Sequence, residues 1–207
     1  MKKHRTVWGL VAAALGVTLL LVGVATASNM GFKFVPQIPG TAGANAYNLS
    51  LPWNNNYTSS VDLLTDIAGA QGVAQFSPDA KLTTWYPGGG TTFSVSKGEA
   101  YIVFGSGAGQ TPVIVGSHDP SFTFSFVAGK AKNVSAPYHQ TFTNAVQLLT
   151  DLNTKCPSAI SSVAKFTPDS KLVSWYPGGG TTFDLTLGQG VIVFAQSNCN
   201  GYVWPHY

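Results

Sequence analysis

The sequence predicts an α+β protein that is mostly β: two tandem antiparallel-sheet modules, each of about six short strands plus one short helix. Three observations carry this. The chain of 207 residues contains one unit written twice, most plainly in "WYPGGGTTF", which runs from Trp85 to Phe93 and again from Trp175 to Phe183. Within each copy, short alternating apolar stretches are bounded by Gly, Pro, Asp or Asn, the punctuation of strands and turns. One stretch per copy instead has the 3.6-residue period of a helix.

Internal repetition governs the rest of the reading. Asn48 to Trp53, "NLSLPW", matches Asn133 to Tyr138, "NVSAPY", and "LLTD" at Leu63 matches Leu148, both 85 residues apart. From Phe76 and Phe166 onward the offset is 90, so five residues enter the second copy between Asp151 and Phe166. "FKFV" at Phe32 is similar to "FSFV" at Phe124, and His118 and His206 close equivalent strands. The boundaries expected are a signal peptide over 1–27, a first module over 28–118 and a second over 119–207.

The elements follow in order. "FKFV" alternates as a strand does, and "YNLSLPW" alternates Tyr47, Leu49 and Leu51 until Pro52 stops the ladder. A helix follows, with Ser59 or Ser60 as cap, Val61, Leu64 and Ile67 on one face and Gly69 as the stop. The second copy repeats it with Thr143 or Asn144, then Val146, Leu149 and Leu152. "VAQFSP", "KLTTWYP", "TTFSVS", "EAYIVFG" and "TPVIVG" complete the strands, with a wide Gly turn after Pro87 and a tight turn at Lys97 and Gly98.

The first 27 residues are a basic start, an apolar run from Val7 and the small triplet Ala25, Thr26, Ala27, the anatomy of a secretory signal cleaved after Ala27, with an uncleaved membrane anchor as the competing expectation. The product expected is secreted, extracellular, cell-surface or periplasmic, with no membrane span in the mature chain. Cleavage removes Lys2, Lys3 and Arg5, so eleven basic residues become eight, against eight acids. Nucleic-acid binding needs clustered Lys and Arg, and eight scattered lysines without one arginine exclude it. A net charge near zero favours association. The two cysteines, Cys156 in the insertion and Cys199 in the divergent tail, are expected to form a disulfide in an oxidising compartment.

The Gly run lacks the Lys and the following helix of a phosphate loop. Trp85, Tyr86, Trp175 and Tyr176 are the candidate ligand-binding residues, because ring faces stack on sugars or peptides and both residue types favour contact surfaces. Burial of the tryptophans in the core is the competing expectation. His118, His139 and His206 have no spacing that requires a metal, and none is expected. Neither is a cofactor or a catalytic residue. Glu99 is the only glutamate and its equivalent is Gln189, while the recurring pairs Asp66/Asp151 and Asp79/Asp169 fall where Asp bonds to the backbone.

The order "NLSLP", a capped "DLLTDI" helix, a strand pair carrying Trp-Tyr and then "GEAYIVF" resembles tandem repeat modules of uncharacterised secreted bacterial proteins. Their pattern is Asn-Leu-x-Ser-Leu-Pro followed later by Gly-Glu-Gly-Tyr-x-Val. The resemblance covers Tyr47 to Phe104 and Lys132 to Phe194, and the second copy departs from it at Ala136, Gln189 and Val191. It implies secretion and repetition, and no activity. The function expected is therefore a secreted non-enzymatic structural or cell-surface protein that self-associates, through exposed strand edges such as "FKFV" and "FTFSF", or meets other surface proteins. The alternative is a carbohydrate- or peptide-binding module using the Trp-Tyr loops.

Overall fold

The structure, a computed structural model, describes residues 31–35, 38, 46–105, 109–167 and 169–206. The expected signal segment lies outside the described residues. Those described form a mostly β protein with antiparallel sheets and two helices.

The first half contains β1 (Phe32–Phe34), β2 (Ala46–Ser50), α1 (Ser60–Asp66), β3 (Ala70–Phe76), β4 (Leu82–Tyr86), β5 (Gly89–Gly90), β6 (Ala100–Gly105) and β7 (Ile114–Gly116). The second contains β8 (Phe124–Phe126), β9 (Ala131–Ser135), α2 (Ala145–Lys155), β10 (Ile160–Phe166), β11 (Leu172–Tyr176), β12 (Gly179–Gly180), β13 (Gly190–Ala195) and β14 (Cys199–Tyr202). One five-stranded sheet has the order β2-β6-β3-β4-β5, and the other, read from β9, has β9-β13-β10-β11-β12. β1 pairs with β7 and β8 with β14 in two small ribbons, so the "FKF" and "FSF" strands already have partners within the chain.

Alternation along each strand sends side chains to two different cores. In β6, Tyr101 and Val103 join Leu49, Val73, the α1 residues Leu63 and Leu64, and the C-cap residue Ile67 on the outer face. Ile102 points the other way, into a layer with Ala46, Ala74, Phe76, Ala131, Ala164 and Ile192. That layer is drawn from both five-stranded sheets, which therefore pack face to face with a helix outside each. The second outer core gathers Leu148, Leu149 and Leu152 of α2 with Val163, Val191, Val193, Tyr202 and Trp204. Alanine at the sheet centres leaves room for close approach. A methyl added at Gly190 would lie 2.2 Å from the Cβ of Ala100, its equivalent in the first half. Equivalent positions meet there, and only one of them has room for a side chain.

Cross-half contacts come in equivalent pairs. Asn48 and Asn133, 98% buried, exchange amide hydrogen bonds of 2.9 and 2.7 Å. Ser50 N donates to Gly188 O, and Ser135 N to Gly98 O, each at 2.8 Å. Trp53 Nε1 donates to Ser135 O at 3.0 Å. Buried amides that satisfy one another fix register as well as stability.

The helix starts obey the capping rule. Ser59 caps α1 and forms a capping box with Asp62, and Asn144 caps α2 by accepting from Gln147 N at 3.0 Å. α1 ends at Asp66, before Gly69, which takes a positive φ of 82° in the turn that follows. Cys156 and Cys199 are joined by a disulfide that ties the end of α2 to β14. The loop it closes corresponds to about 4 kcal/mol in the chain-entropy picture.

Three expectations require correction. Each half has seven strands where about six were expected, and the Gly-Gly pairs of β5 and β12 are among them as short edge strands. The stretch Thr91 to Ser96 is not one of them: it runs beside the helix entrance, where Ser60 N donates to Phe93 O at 2.8 Å and Val95 N to Thr58 O at 3.0 Å. The wide Gly turn is in fact tight, since Tyr86 pairs with Gly89 and only Pro87 and Gly88 lie between them.

Candidate functional site

The expected binding residues sit on the β4–β5 and β11–β12 hairpins. Proline followed by Gly88 at φ +91° is the pattern of a type II turn, and Gly178 repeats it at +89°. A methyl at Gly89 would come 2.8 Å from the ring of Tyr86, so the tyrosine lies over its own hairpin. Gly90 has φ +85°, and a methyl there would sit 2.3 Å from the Thr84 carbonyl oxygen. Thr91 N donates to the same oxygen at 2.9 Å. Phe93 is buried and stacks on Tyr101, centroids 5.7 Å apart and rings 6° from parallel.

The rings of each Trp-Tyr pair part company. Trp85 and Trp175 are half-buried and pack against the outer cores, whereas Tyr86 and Tyr176 remain 49% and 47% exposed. The exposed edge of each tryptophan walls a groove against the neighbouring helix. In the first half the groove has a volume of about 330 Å³ and is lined by Val61, Leu64, Thr65, Ile67, Trp85 and Pro87, among others. In the second it is about 440 Å³, between Val146, Leu149, Thr150, Asn153, Thr154, Trp175 and Pro177. Val61, Leu64, Thr65, Trp85 and Pro87 have their exact equivalents in Val146, Leu149, Thr150, Trp175 and Pro177.

Few polar atoms in the grooves await a ligand. Thr65 Oγ1 donates to Val61 O, Thr150 Oγ1 to Val146 O and Thr154 Oγ1 to Thr150 O, each at 2.8 Å. Asn153 exchanges bonds of 2.9 and 3.0 Å with the backbone of Ile160. No charged side chain lines either groove among the described residues. Both are mainly apolar slots.

Val61 and Val146 share the apolar helix face with Leu64 and Leu149 but stay 41% and 39% exposed. The apolar stripe of each helix is wider than the core beneath it, and its margin becomes the groove wall. An apolar residue repeated at the margin of both helices was the signal for it.

The three histidines, left unconnected by their spacing, do converge. His118 and His206 have centroids 4.2 Å apart, His139 lies 6.1 Å from His118, and the Trp53 ring is 4.7 Å from His118, tilted by 35°. His206 Nδ1 contacts Trp204 O at 2.7 Å. Burial, with the neighbouring His206 and His139, pushes His118 down from 6.5 to about 4. Among the described residues, no group of three His, Cys, Asp or Glu is placed to hold a metal ion.

The recurring aspartates are engaged chiefly by side chains, where backbone bonds were expected of them. Asp66 accepts from the Tyr57 hydroxyl and Asp151 from the Tyr202 hydroxyl, the latter at 2.8 Å. Asp79 pairs with Lys130 across the two halves, and Asp169 with Lys171. No helix among the described residues is long and apolar enough to cross a membrane. No family model, no characterised protein and no solved structure matches the chain.

Proposed function

We propose that the chain is a secreted, non-enzymatic structural or cell-surface protein of two copies of one β-rich module, 28–118 and 119–207. The copies pack about an approximate two-fold axis through the Asn48–Asn133 pair, and the protein associates with copies of itself through its two equivalent grooves. The observation that carries this is the groove itself. The same apolar slot, walled by Trp, Pro and a helix edge, occurs at equivalent places in both halves. Exposed apolar area that recurs beside Tyr and Trp is the composition of a contact surface. In an isologous contact the same patch of two copies meets, so the groove rims, with exposed Tyr86 and Tyr176 beside them, would face their own counterparts.

A sugar fits less well, because hydroxyl groups need free polar partners and the groove threonines and Asn153 are already bonded within the chain. The non-enzymatic reading draws on the same kind of occupancy. Asp62, Asp66, Asp79, Asp119, Asp151 and Asp169 are engaged in caps, tyrosine bonds and ion pairs.

Sedimentation velocity on the purified secreted protein tests the proposal. The expected result is an average mass that rises above the monomer with concentration, and a return to monomer in the double variant Val61→Lys, Val146→Lys with its circular dichroism unchanged. A protein monomeric throughout, or one whose association ignores the double variant, overturns it.

A further inference from the structure

A separate cavity of about 350 Å³ opens between the two halves, away from the grooves. Its walls include Phe76, Glu99 and Ala100 from the first half and Phe126, Lys132 and Asn133 from the second. A volume of this size is in the usual range for a small-molecule site.

The charges in it are opposite and not joined to each other. Glu99 uses one oxygen twice: Oε2 accepts from Gln75 Nε2 at 2.9 Å and from the Tyr101 hydroxyl at 3.3 Å. No hydrogen bond among the described residues takes up Oε1. The ammonium of Lys132 stands 5.9 Å from the centroid of the Phe124 ring and has no carboxylate partner among the described residues. The other lysine at the rim, Lys130, is already paired with Asp79.

Comparison of the two halves sharpens the point. Glu99 is replaced by Gln189 in the second half, Gln75 by Lys165, and Lys132 corresponds to the buried Tyr47 of the first. In the second half Lys165 Nζ donates to Gln189 Oε1 at 2.9 Å and to Asp184 O at 2.8 Å, so the polar groups satisfy one another. The halves agree through the hairpin and inner alanine layer, but diverge where the cavity places one negative and one positive group. Two opposite charges with no ion-pair partner among the described residues, beside apolar walls, match a ligand carrying both signs and an apolar body.

We propose that this cavity binds a small zwitterion of the free α-amino acid class. The ligand's ammonium faces Glu99, its carboxylate faces Lys132, and its side chain lies against Phe76 and Phe126. The contact is non-covalent, and neither groove takes part in it.

Isothermal titration of the whole secreted protein with each of the common L-amino acids is the test, with n-butylamine, butyrate and glucose as comparison probes. At least one amino acid is expected to bind saturably below about 10 mM. Its affinity should fall roughly tenfold or more in Glu99→Gln, the residue found at the equivalent position, and again in Lys132→Met. Unchanged circular dichroism establishes folding of each variant, and either folded variant suffices to read the effect. The proposal is overturned if no amino acid binds. It is also overturned if binding survives these substitutions, or if the amine, the acid or glucose binds as tightly. Val61→Lys with Val146→Lys should leave this binding intact, so the cavity and the grooves stand or fall separately.

Discussion

His118 ties local chemistry to stability. It is 95% buried, its Nε2 has no hydrogen-bond partner among the described residues, and it faces His206, His139, Asp119 and the Trp53 ring. Asp119 is itself paired with Lys97, and that contact, with Ser121, holds its carboxyl down at about 2. The folded chain thus keeps His118 neutral down to about pH 4, while the unfolded chain takes up a proton near 6.5. Between those values the unfolded state binds more protons, so stability falls as pH falls, by roughly tenfold in the folding equilibrium per pH unit from this group. Urea unfolding between pH 7 and 4 should show that loss, and His118→Gln should flatten it. An equal slope in the two proteins would contradict the assignment. The convergence was hidden in the sequence because His118, His139 and His206 arrive from three separate segments. Cysteine pairing, by contrast, was legible, because Cys156 and Cys199 are both departures confined to one copy.

At the scale of the element, the nine identical residues of the hairpin divide by role. Gly88, Gly89 and Gly90 are required by backbone conformation or by the Tyr86 ring, Phe93 by the core, and Trp85 by both the core and the groove. Gly88→Ala meets no atom within 4 Å and should cost about 1–2 kcal/mol for its positive φ alone. Gly90→Ala adds an overlap with backbone that cannot rotate away, and should cost more than about 3 kcal/mol. Equal shifts in the urea midpoints of the two variants would refute this account of the turn. Punctuation and period made β2, β3, β4, β6 and both helices readable. They missed the tight turn, because three consecutive glycines do not say which of them pairs. They also misassigned Thr91 to Ser96, whose β-forming composition is used against the helix entrance instead of inside a sheet.

For the whole molecule, repetition was visible in the sequence but the mutual packing of its halves was not. Alternation shows that a strand has two faces, and small residues such as Ala74, Ala131 and Ala164 do not reveal that a second sheet covers one of them. Nor does "NLSLP" disclose that Asn48 will meet Asn133, since a polar residue in a strand reads as solvent-facing until its partner is known. Each half presents its groove to the outside, so the self-association proposed above would make the chain divalent. Sedimentation velocity on the single variants Val61→Lys and Val146→Lys is the most direct test. Two equivalent grooves predict species larger than dimers for the unaltered protein and assembly that stops at the dimer in either single variant. A single variant that assembles as far as the parent, or that is wholly monomeric, would contradict two equivalent contact sites.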